Sequence, residues 1–150
     1  MIPTLALRQK AMQLLAADTA TLAQAANENV MILVMDDFAP SEETVLGDLT
    51  EATFDGYAAI DGALGAQPEG LDPANNDSIV DILPAAGMFR WETSGVTNLP
   101  MTIYGFALLN AAKNVLYACE RFETPVTLTA AGQRVDVPDP KLTQAANSIS

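Results

Sequence analysis

Carboxylates are the residues best supplied for chemistry in this chain. Its 150 residues hold 19 Asp and Glu against 7 Lys and Arg, and no histidine. Two carboxylates flanking a sugar bond suffice for glycoside hydrolysis. Such sites also need a deep, aromatic-lined cleft, and Trp91 is the sole tryptophan. Without histidine the commonest general base, the usual nucleophile triads and most transition-metal sites are missing. Ser41, Ser78, Ser94, Ser148 and Ser150 lie in turn-like or terminal contexts, outside any G-x-S-x-G elbow or S-x-x-K pattern. Cys119 sits within the strand-like run YACERF, where a buried, inert thiol is expected because no histidine can activate it. No glycine-rich dinucleotide or phosphate loop is present. The chain is therefore expected not to be an enzyme, with no catalytic residue, no bound cofactor and no metal centre. Calcium needs separate weighing, since Asp36, Asp37, Glu42 and Glu43, or Asp72, Asn75, Asn76 and Asp77, gather hard oxygen ligands. Neither cluster has EF-hand spacing, and a solvated acidic loop is the plainer reading.

The net charge of −12 is unevenly spread, with no basic residue between Lys10 and Arg90 and 14 acids in that interval. Affinity for nucleic acid depends on Lys and Arg displacing counterions, so neither nucleic acid nor an anionic membrane is an expected partner. The apolar content is too high for disorder. No run approaches the roughly 20 apolar residues of a membrane span, and Arg8, Gln9 and Lys10 interrupt any signal-peptide core. A single cysteine fits a chain made in a reducing cytoplasm.

These side chains must be positioned by a mainly β fold, an antiparallel β-sandwich or small barrel with an N-terminal helical segment. Residues 1–29 read as a helical arm, in which Leu5, Met12 and Leu15 share a face and Asp18 or Thr19 begins a second short helix. Residues 30–138 read as the β domain and 139–150 as a surface tail. MILVM, Met31 to Met35, is apolar on both faces and is either an interior strand or one covered by the helix. Thr53 to Ile60 is expected as a strand, and Asp61 to Asn76, with three glycines and two prolines, as a surface loop. Met88 to Thr93 alternates Phe89 and Trp91 against Arg90 and Glu92. In Met101 to Leu109, simple alternation puts Tyr104, Phe106 and Leu108 opposite Met101, Ile103, Ala107 and Leu109. Asn110 to Lys113 closes a hairpin to Val115 to Phe122, and a last hairpin turning at Gly132 pairs Val126 and Leu128 with Val135 and Val137.

Taken in order, MILVM, DDFAPSEETVLGDLTEATFDGYA, IYGFALLN and LYACERFETPVTLTAAGQRVDV resemble small proteins encoded among the virion genes of tailed bacteriophages and prophages. The likeness covers about residues 30 to 137 and leaves the arm outside it. It implies a virion component made in the host cytoplasm: a capsid cement or decoration protein, or a small tail-associated protein. The partners so implied are other virion proteins, the major capsid protein among them, and copies of the chain itself in a homo-oligomer such as a trimer. The expected contact residues are Met1, Ile2, Leu5 and Leu7 on the arm, Tyr104 and Phe106 in the two-faced strand, and the acidic loop from Phe38 to Leu49. The rival reading is a receptor- or glycan-binding module of the tail, which would use an exposed Trp91 or Tyr57 as a stacking platform.

Overall fold

A strand that is apolar on both faces must lie inside a sheet with cover above and below. The run NVMILV meets that condition as a strand (Asn29–Val34) whose six residues are all buried. The computed structural model describes residues 1–7, 28–64, 78–84 and 87–144. Within these, β1 is Ile2–Pro3, β2 Asn29–Val34, β3 Ile60–Leu64, β4 Ser78–Pro84, β5 Phe89–Glu92, β6 Met101–Asn110, β7 Leu116–Leu128, β8 Arg134–Val137 and β9 Lys141–Gln144. β2 runs antiparallel to β6 along its whole length, from Asn29 opposite Asn110 to Val34 opposite Gly105, and pairs with β3 on its other edge. Strand order across the sheet is β1-β7-β6-β2-β3-β4-β9, all antiparallel, and the sheet curls into a half-barrel. The curl brings the edge strands β1 and β9 beside each other, where the Met1 amine donates to the Lys141 carbonyl at 3.1 Å and pairs with the Glu120 carboxylate at 2.8 Å.

Each face of β2 has its own cover. Met31 and Leu33 point to one side, into a core with Ile103, Phe106 and Leu108 of β6. That core is closed by the β5–β8 ribbon, which contributes Phe89, Trp91, Val135 and Val137. The ribbon's outer face carries the ion pairs Arg90–Asp136 and Arg134–Glu92, both at 2.7 Å. Exposed pairs of this kind contribute about 0–1 kcal/mol, so the four apolar side chains beneath hold the ribbon down. Val30, Ile32 and Val34 point to the opposite side and join Ala107, Leu109, Leu116 and Cys119. Their cover is the acidic loop, through buried Phe38 with Leu46 and Leu49 packed alongside.

β6 changes phase midway. Met101 and Ile103 share a core with Phe106 and Leu108, so simple alternation fails between Ile103 and Gly105. The register shows why: Ile103 faces Val126 but Gly105 faces Arg121, so β7 has extra residues across the step. At that step a Cβ on Gly105 would lie 2.1 Å from the Glu120 carbonyl oxygen, so only glycine lets the two backbones approach.

Several sequence expectations are corrected. The turn at Gly132 forms, with φ +80°, but it joins strands that do not pair with each other. Val126 and Leu128 stay on β6 opposite Ile103 and Met101, while Val135 and Val137 pair with Trp91 and Phe89. The need to cover the sheet outweighs the local hairpin. Residues 53–59 are not strand; β3 begins at Ile60 and occupies the start of the expected 61–76 loop, whose part from 65 onward lies outside the described residues. The start of the arm is β1 rather than helix, and the tail supplies β9, paired with β4. Met12, Leu15, Asp18 and Thr19 lie outside the described residues.

The Gly105 step can be tested by urea unfolding. Gly105→Ala is expected to lower stability by about 1–3 kcal/mol through overpacking against backbone. Gly47→Ala, where an added Cβ meets nothing within 4 Å, is expected to change it by less than about 0.5 kcal/mol. Equal effects at the two positions would refute the close approach.

Candidate functional site

The acidic loop is stitched to the sheet from several directions. The Met35 N–H donates to the Thr50 carbonyl and the Ala52 N–H to the Leu33 carbonyl, each at 3.0 Å. The Asp36 carboxylate accepts from the Thr50 N–H. Asp37 pairs at 2.6 Å with Arg121 of β7, whose guanidinium also lies over the Tyr104 ring, 5.8 Å from its centre. At the tip, Ser41 N–H donates to Thr44 Oγ1 at 2.9 Å, and Val45 N–H to the Asp48 carboxylate at 3.0 Å, closing a 3-10 turn over Leu46–Asp48. Beneath lies Cys119, buried, its thiol pushed up by burial. That leaves little reactive thiolate.

The first turn of the arm meets this loop. Thr4, buried next to β7, caps a helical turn beginning at Leu5: its hydroxyl accepts from the Leu7 N–H at 3.2 Å, and its own N–H donates to the Tyr117 carbonyl at 2.8 Å. One residue on, the Leu5 N–H donates to the Glu42 carbonyl at 3.0 Å. Between the two segments opens a groove of about 350 Å³, with Leu5, Val45, Leu46 and Leu116 as apolar lining and Glu42 and Glu43 at its acidic side. Leu5 is 47% exposed and Val45 58%. Two regions named separately from sequence, the arm and the acidic loop, are thereby brought together.

The remaining expected contact residues divide. Ile2 is exposed at the sheet edge, and Met1 and Leu7 pack partly against the core. Phe38 and Phe106 are core residues, 7% and 4% exposed, the latter with its ring 5.6 Å from that of Phe122. Leu49 is half-buried under the loop, and Tyr104 half-buried beneath Arg121. Val45 was not singled out from sequence, though an apolar residue inside SEETVLGD was a signal. Leu83 and Met88, 52% and 46% exposed, line a second groove of about 370 Å³ beside β4 and β8.

Trp91 is 3% exposed and its indole N–H donates to the Ala58 carbonyl at 2.8 Å, so it offers no stacking platform. Tyr57 packs edge-on to Phe54 and is held by polar partners. Its hydroxyl accepts from the Leu33 N–H at 3.1 Å and donates to Glu51 at 3.0 Å, and Glu51 also pairs with Lys113 at 2.7 Å. Burial, reinforced by the Glu51 charge, pushes the Tyr57 hydroxyl far above its ordinary range, so it keeps its proton and serves as a staple between loop and strand. Among the described residues, no group of three or more Asp, Glu and Cys is placed to hold a metal ion. Asp36 and Asp37 turn to different partners, and the 72–77 cluster lies outside the described residues. No helix among the described residues is long and apolar enough to cross a membrane. Comparison with family models, curated proteins and solved structures gave no match.

The Tyr57 staple predicts a pH dependence. Above pH ~10 the unfolded chain gives up this proton while the folded chain keeps it, so stability falls as pH rises. Tyr57→Phe is expected to cost about 1–3 kcal/mol near neutral pH, by stranding the Leu33 N–H. It should also flatten the alkaline fall by up to about 1.4 kcal/mol per pH unit. Urea titrations across alkaline pH measure both, and an unchanged alkaline slope in the variant would contradict the staple.

Proposed function

We propose that the chain is a non-enzymatic virion structural protein, a capsid cement or decoration protein that stabilises a phage head through contacts between subunits. The observation that carries this reading is the convergence of the arm and the acidic loop on one exposed apolar groove, mounted on a braced β body. A protein that binds neighbours needs such a rigid face with apolar surface left open. The resemblance of residues 30 to 137 to small virion proteins points the same way. The net charge of −12 would keep the subunit off packaged nucleic acid and off anionic membranes. The major capsid protein is the partner this reading names, with self-association to a trimer as part of the same assembly. The tail-bound, glycan-binding alternative is weakened by the burial of Trp91.

Co-sedimentation with expanded phage capsids tests the proposal. Binding that saturates at a fixed number of copies per capsid, and that delays heat-induced capsid disruption, is the expected result. A protein that stays in the supernatant and remains monomeric at high concentration would overturn it.

A further inference from the structure

The groove between Leu5 and Val45 has a chemical preference that narrows its occupant. We infer that it takes a short segment of a different protein, in which an apolar side chain is flanked by lysine or arginine; this rests on the reading of the chain as a structural subunit. The apolar half of the match is Leu5 and Val45, each about half exposed. The charged half is Glu42 and Glu43 at the groove, in a loop that also carries Asp36, Asp37, Asp48 and Glu51 with no Lys or Arg between them. Asp37 and Glu51 are matched from outside the loop by Arg121 and Lys113. Glu43 stands exposed at the groove.

Charge also weighs against a second copy as the occupant. A two-fold contact through this groove would set each acidic rim against its twin, which is repulsive. A head-to-tail contact would need basic side chains offered from elsewhere on the chain. Among the described residues, Arg90, Lys113, Arg121 and Arg134 are already held in ion pairs within the molecule. A foreign segment meets neither obstacle.

The test is an amide chemical-shift titration of the full chain with three blocked peptides: Lys-Leu-Lys-Leu-Lys, Glu-Leu-Glu-Leu-Glu and Lys-Ser-Lys-Ser-Lys. The Lys-Leu peptide is expected to shift Leu5, Val45, Leu46 and Leu116. Its affinity should fall about tenfold or more from low salt to ~1 M, where the Debye length is near 3 Å. Glu43→Lys and Val45→Ser, both at exposed positions, should each weaken it about tenfold while leaving the remaining amide spectrum in place. Equal binding of the Glu-Leu peptide would remove the charge argument, and equal binding of the Lys-Ser peptide the apolar one; either overturns the inference. So would shifts at the same four amides on concentrating the protein alone, since a second copy would then be the occupant. If Glu43→Lys bound capsids as well as the wild type, the inference would fail and the cement reading would stand. If the peptide filled the groove while the wild type ignored capsids, the reverse would hold.

Discussion

The central strand β2 has no solvent face, and much of the molecule follows from that. Its six residues are buried, with Met31 and Leu33 on one side and Val30, Ile32 and Val34 on the other. Three aliphatic side chains left in water on one face would forfeit about 5–9 kcal/mol, on the scale of the net stability of a whole domain. Both covers are therefore obligatory. The β5–β8 ribbon supplies one from strands remote from β2 in sequence, and the acidic loop supplies the other through Phe38, Leu46 and Leu49.

Covering gives the acidic loop a second role. A surface loop with six carboxylates would ordinarily be solvated and mobile. Here the same residues that close the core fix its path: Phe38 enters the core, Asp36 takes the Thr50 N–H, and Asp37 is held by Arg121. Because the loop is pinned, Glu42 can receive the Leu5 N–H, and Glu43 and Val45 are presented at defined positions beside the arm. Of the loop's acids, Glu42 and Glu43 line the groove, while Asp36, Asp37, Asp48 and Glu51 turn to partners within the fold. Among the described residues, no three of the acids are placed to hold a metal ion.

Sequence showed the parts of this that depend on local pattern. The two-sided apolar run of β2 and the alternation of Phe89 and Trp91 with Arg90 and Glu92 were legible because burial writes directly into residue order. The fate of Val126, Leu128, Val135 and Val137 was not, since a favourable turn at Gly132 says nothing about which distant strand each side will join. The phase change in β6 was hidden for a related reason: Gly105 looks like any strand glycine until the Glu120 carbonyl is set against it. For the groove, sequence named Leu5 and the acidic loop one by one. It could not join them, because the bond from Leu5 to Glu42 spans a long stretch of chain. Phe38 and Phe106 were read as contact residues because large apolar side chains suit either an interface or a core; their burial places them in the core.

The acidic loop is a structural cover and not a mobile appendage. Native-state hydrogen exchange measures this directly, through the amides of Met35, Leu49, Thr50 and Ala52, which donate within the loop or between it and β2. If the loop is a cover, these amides open with the amides of β2, at free energies close to that of global unfolding. Exchange of the loop amides at nearly unprotected rates, while β2 stayed protected, would contradict the account.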